Sequence, residues 1–275
     1  MLPLYQLKIF LFLVICSAWA SAGASKQSVD NLIKLYGLEE QVAQFPAQMK
    51  AGFQQAHKQD SAIKPEQKEA LLKSVDIYIS PSNIMNQIQT SLYKSLSQSE
   101  VDKTLTWLKS PLGREIARAE EISSAPEFQL LAMQNANELL ADKERVELAR
   151  RLDKLIGGTD FSMGIAEYGS IAVLSAMYTA VNPQAPLNID GLRAHMSTNA
   201  AQTRSEIEKM VTIVFVQTYK NIDMNKLEMY EKFLSDATTM KLNKIITSSM
   251  KVGLESALSN WAGSLDKILT GASEK

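Results

Sequence analysis

The chain has 275 residues with 29 basic and 30 acidic side chains, a formal charge of −1, and a single cysteine, Cys16. That length can bury a sizeable apolar core without cross-links, and the charge balance gives no electrostatic reason to propose nucleic acid as a partner. Because Cys16 falls in a removable leader, the mature chain is expected to lack disulfides, thiol catalysis and cysteine metal sites.

The leader spans residues 1–24. Lys8 precedes the apolar run 9–16, IFLFLVIC, and mostly small residues follow it. Ala20 with Ala22, and Ala22 with Ala24, both satisfy the A-x-A cleavage pattern of a secretory signal peptide. The run is too short to span a bilayer, which takes about 20 residues. A lipid-modified Cys16 would want a small residue before it, and Ile15 is bulky. The mature chain keeps 28 basic and 30 acidic residues, a charge of −2. An exported, cysteine-free, near-neutral chain points to a Gram-negative periplasm, with no transmembrane segment after processing.

The mature chain reads as helices throughout. Ser28 is a candidate cap for a short helix carrying Val29, Leu32 and Ile33, with Gly37 as its stop. A helix over 38–57 follows, striped by Val42, Phe45, Met49 and Phe53 and interrupted at Pro46. After the polar linker 58–64, Pro65 opens a helix with Leu71, Leu72, Val75 and Ile79 inward. Ser80-Pro81 restarts the chain. Ser97 and Glu100 form a capping box, ahead of Val101, Leu105 and Leu108. Ser110-Pro111 ends that helix and begins another, carrying Leu112, Gly113 and Ile116. Ala125-Pro126 opens a further helix through Leu139 and Leu140.

The charged stretch 142–156 presents Leu148, Leu152, Leu155 and Ile156, and Gly157-Gly158 stops it. Thr159 or Asp160 then caps an apolar helix over 161–181, expected to be a central helix packed through Gly164, Ala166, Gly169, Ser170 and Ala172. A membrane helix is disfavoured by Asp160 and Glu167. Residues 182–190, with Pro183 and Pro186, form a loop. A long helix to Asn221 holds the buried run 210–216, and helices over 223–234 and 237–269 complete the chain, leaving 271–275 to fray.

Residues 93–116, YKSLSQSEVDKTLTWLKSPLGREI, have an echo at 219–242, YKNIDMNKLEMYEKFLSDATTMKL. Tyr93 faces Tyr219, Val101 faces Leu227, Trp107 faces Phe233, Leu108 faces Leu234 and Ile116 faces Leu242. Asp223 replaces Ser97 as a cap, the proline is lost at Asp236-Ala237, and Leu105 faces Glu231. Three identities in 24 positions leave open two unrelated amphipathic helix pairs. The expected architecture is all-α, a multi-helix bundle with two diverged copies of one unit. Residues 25–140 form the N-terminal unit and 141–275 the C-terminal unit.

Residues that carry chemistry are sparse. His57 and His195 have no H-x-x-x-H or H-E-x-x-H context. Gly169-Ser170 lacks a nucleophile-elbow frame, and no phosphate loop occurs. Glu39-Glu40 and Glu120-Glu121 are adjacent on helices and point apart. Arg150-Arg151 sits among Glu147 and Asp153 as a mixed-charge surface. Eight of twelve methionines lie after residue 160, as core filler or as the lining of an adaptable apolar groove; copper is disfavoured without an M-x-x-M cluster. No catalytic, cofactor-binding or metal residue is assigned, and an enzyme is not expected.

The pattern L-S-x-x-E…W-L-x-S-P-L-G-R over 96–114 resembles the bacterial family catalogued as domain of unknown function 2059, and residues 31–53 are similar to that family's amphipathic start. The resemblance covers roughly 29–122 and fades in the second half, where S-P-x-G is missing. It implies an exported all-helical protein and no activity. Two functions follow as expectations: a non-enzymatic envelope protein that binds another protein or itself, or a binder of an apolar ligand, lipid or unfolded segment through a methionine-rich groove.

Overall fold

A computed structural model describes residues 23–57, 64–181 and 188–270. Residues 1–22 of the expected leader, most of the expected 58–64 linker, residues 182–187 of the expected loop and the tail 271–275 lie outside the described residues.

All named elements are helices: α1 Lys26–Leu35, α2 Leu38–Ala43, α3 Phe45–His57, α4 Pro65–Tyr78, α5 Pro81–Ser95, α6 Gln98–Leu108, α7 Pro111–Ser123, α8 Pro126–Gln134, α9 Ala136–Leu139, α10 Lys143–Ile156, α11 Gly158–Val181, α12 Ile189–Ser197, α13 Ala200–Tyr219, α14 Met224–Leu234, α15 Ala237–Ala262 and α16 Leu265–Thr270. Among the described residues, the only β pairing is an isolated bridge between Gly23 and Ser97. The expected all-α bundle is what forms. No described helix is long and apolar enough to cross a membrane.

Side-chain caps set several helix starts. The α1 cap is Ser25, not Ser28: the Ser28 N–H donates to Ser25 Oγ, so the helix starts earlier than expected. Ser97 and Glu100 close the predicted capping box, and Ser110 Oγ accepts from the Gly113 N–H at 3.0 Å. Gly37 and Gly157 both adopt the left-handed backbone, φ +65° and +81°, which only glycine takes without strain. Pro46 splits the second helix at Gln44. Three expected continuous helices are divided, at Asn135, near Asn199 and at Gly263.

Two expectations for α11 need correction. The helix begins at Gly158, and Thr159 does not cap it: its N–H and hydroxyl both donate to the buried Asp153 carboxylate, at 2.8 and 2.6 Å. The close-packed small residues are Ala172, Ser175 and Ala176. A side chain at Gly169 would meet nothing within 4 Å. Along the 210–216 run, Val211 and Ile213 are buried but Met210 is exposed.

The largest core joins α1–α6 to α11, α15 and α16, so it spans the turn after α9 where the two expected units meet. Its axis is α15 laid along α5. A Cβ on Gly253 would lie 3.2 Å from Ile84 Cα, a close approach of two helices. Trp261, almost fully buried, donates from Nε1 to Ser74 Oγ at 2.7 Å. A second core gathers Ile116, Leu148, Leu152, Tyr219, Leu227 and Leu234, among others, where α13 packs on α7 and α8 and α10 on α14.

Candidate functional site

The seam between the two halves is aromatic. Trp107 ends α6 and Phe233 ends α14, and their rings stack at 3.8 Å with an interplanar angle of 4°. Tyr230 stacks on Trp107 from 5.4 Å, and Tyr219 meets Tyr230 edge-on. Both tyrosine hydroxyls donate to one oxygen, Glu120 Oε1, at 2.7 Å each. Burial, then the Glu120 charge, pushes both phenols well above the ordinary tyrosine range, so they stay protonated as donors. Nearby, Tyr36 donates to Asn243.

Around that stack the 126-residue shift of the echo recurs in geometry. Helices α6 and α14 begin and end 126 residues apart, and so do the starts of α7 and α15. Positions 98–114 and 224–240 share one burial pattern except at Leu105 and Glu231. There the polar replacement has its own partner: Arg151 grips Glu231 through two hydrogen bonds of 2.7 and 3.0 Å. The shift also carries α5 onto α13, and α7 with α8 onto α15, so the α5–α15 pairing and the packing of α13 on α7 and α8 exchange with one another.

Two ion pairs flank the stack. Glu115 binds Lys226 at 2.7 Å, and Glu100 binds Lys241 at 2.8 Å. Under the shift Lys226 stands where Glu100 stands, and Lys241 where Glu115 stands. The two pairs therefore exchange with each other with every charge reversed, while the Trp107–Phe233 contact maps onto itself. Both ion pairs and the stack thus obey one positional relation between the two segments.

The shift also exposes a difference. Ile122 at the end of α7 is 54% exposed, and Leu130 on α8 is 61% exposed, with Leu131 and Met133 beside it. Leu130 and Met133 lie one turn apart on one helical side. Their counterparts on α15 are Ser248, Ser256 and Ser259, all exposed, with Val252 between them. The buried positions correspond instead: Ile116 with Leu242, Ala132 with Leu258, Leu139 with Leu265. At these three positions one half thus presents apolar side chains where the other presents hydroxyls, all exposed, whereas the counterpart of Leu131, Ala257, is buried.

Among the described residues no group of three His, Cys, Asp or Glu side chains converges as a metal site. His57 falls in α3 and His195 in α12, and their side chains lie outside the described residues. Glu39 and Glu40 are exposed, and Arg150 pairs with Glu147. Among the described methionines of the second half, Met210, Met229 and Met240 are exposed on three different helices, while Met250 is buried. A cavity between α10, α13 and α14 of about 10 Å³ has room for roughly one water. It is lined by Arg145, Leu148, Val216 and Leu227, among others.

Sequence reading aligned Trp107 with Phe233 but missed the convergence of Tyr219 and Tyr230 on Glu120. It also missed the exposed strip on α7 and α8. Comparing polarity position by position at the 126-residue shift would have found the strip. No family model, curated protein or solved structure matches this chain.

Proposed function

We propose that this is an exported, non-enzymatic interaction protein of the envelope, built as two fused copies of one helical unit, which binds a partner protein through the outer face of α7 and α8. The carrying observation is the exposed strip Ile122, Leu130, Leu131 and Met133. Exposed aliphatic clusters on a folded surface mark interaction sites, and here the corresponding surface of the other half is mostly serine. The two-copy reading is supported by the charge-reversed ion pairs and the self-paired stack. Membership in the exported family resembled by residues 96–114 is part of this proposal. It is supported by the S-P-x-G corner, where Ser110 caps and Gly113 lets α7 approach α6.

The test replaces the strip with its counterparts: Ile122→Ser, Leu130→Ser and Met133→Ser together. The helical circular dichroism and melting temperature should stay close to those of the natural chain, because all three sites are solvated. Cross-linking in the envelope fraction should yield a partner with the natural chain and lose it with the triple variant. Identical cross-linked products from both chains would defeat the assignment of this surface.

A further inference from the structure

Residues 23–25 lie along the end of α5. Ser25 caps α1, and its own N–H donates to Gln98 Oε1 at 2.7 Å. The Ala24 N–H donates to the Leu96 carbonyl at 3.0 Å. Gly23 pairs with Ser97, and a Cβ there would lie 3.6 Å from the Tyr93 carbonyl oxygen. This short segment therefore covers the carbonyls that α5 leaves open at its C-terminus.

The end of α13 faces the same need 126 residues later, where Tyr219 and Ile222 correspond to Tyr93 and Leu96. A cation meets it. Arg145 Nη1 donates to the Tyr219 carbonyl at 2.8 Å and to the Ile222 carbonyl at 3.0 Å. A positive charge is favoured at a helix C-terminus by the aligned peptide dipoles. No arginine or lysine occupies the 23–25 segment.

We propose that the leader is cut between Ala22 and Gly23, and that the new α-ammonium of Gly23 closes α5 as the Arg145 guanidinium closes α13. The inference rests on the export reading. Both A-x-A pairs satisfy the peptidase's demand for small residues, so sequence leaves two cuts open. The structure separates them. Hydrolysis after Ala22 adds water across one amide: the leader departs with the Ala22 carboxylate, and Gly23 keeps the amine. That amine is protonated below its ordinary pKa of about 8. Hydrolysis after Ala24 would remove the N–H on Leu96, which hydrolysis after Ala22 keeps.

The experiment expresses the full chain with its own leader in a Gram-negative host and determines intact mass and N-terminal sequence in each cell fraction. The expected product is an envelope protein beginning at Gly23. A product beginning at Ser25, lighter by one glycine and one alanine, overturns this inference and leaves export standing. An uncut chain in the cytosol overturns both. The capping role has its own readout, the α-amino pKa of Gly23 by NMR. The α5 carbonyls should raise it above the ordinary range of about 7.7–8.0; an unshifted value would show that the ammonium caps nothing.

Discussion

At Ser110-Pro111 and at Asp236-Ala237 the chain turns the same corner with different residues. In the first, a serine caps, proline fixes the entry, and Gly113 admits α6 so closely that a Cβ would sit 2.9 Å from Leu108 Cα. In the second, Asp236 Oδ1 accepts from the Thr238 N–H at 2.9 Å, and the counterpart of Gly113 is Thr239, with its side chain buried. The corner itself needs only a capping oxygen and a helix start. Proline and glycine are needed for how tightly the first corner closes.

The largest test of that contrast is at the glycine. Gly113→Val should destabilise by about 3 kcal/mol, the upper end of ordinary overpacking, because the new atoms meet main chain and not a movable side chain. Thr239→Gly should cost about 1 kcal/mol through helix propensity and a small lost contact. Chemical denaturation of both variants measures the difference, and equal losses would remove the distinction between the corners.

At the stack, Trp107→Ala and Phe233→Ala should each cost about 2 kcal/mol, less than for full burial because both side chains are only partly buried. Their double variant should reveal a coupling of about 1 kcal/mol. Additive losses would mean that the stack does not join the halves.

Smaller effects probe the two ion pairs. Glu115→Lys should lower the denaturation midpoint slightly, restored when combined with Lys226→Glu, and the loss should shrink in high salt. The parallel experiment at Glu100 and Lys241 should be less reversible, because Glu100 also serves the Ser97 capping box.

The mildest difference is in acid. Lys103, and then the Thr238 N–H, hold Asp236 below the usual carboxylate range. Its contribution is therefore complete above the unfolded value of about 3.9 and disappears as pH falls through the lower folded value. The α15 start should lose amide protection in that window while the Ser110 cap, which does not titrate there, keeps the Gly113 amide protected. Simultaneous loss at both corners would sink the comparison.

Helix identity was legible because its signals are local. Ser97 with Glu100, Ser110-Pro111 and Gly157 act within a turn or two, and each appears where the sequence put it. Most of what escaped was set by distant partners: nothing near Glu120 announces two tyrosines from α13 and α14. Thr159 escaped differently, because its partner Asp153 lies only six residues back and is brought to it by the turn at Gly157. The strip on α7 and α8 was hidden for a related reason. Leu130 and Leu131 look like core residues until the packing of α13 shows that Ala132 is the buried one.

The contact of Gly253 with Ile84 has a consequence for how the molecule is made. It joins positions 169 residues apart in a chain of 275, and such pairings form slowly because a long loop must close before any contact rewards it. The groove on α5 stays empty until α15 has been synthesised. Under the export proposed above, a chain threaded through a membrane from its N-terminus must stay open on the way, and this late central pairing would keep it so until most of it has arrived.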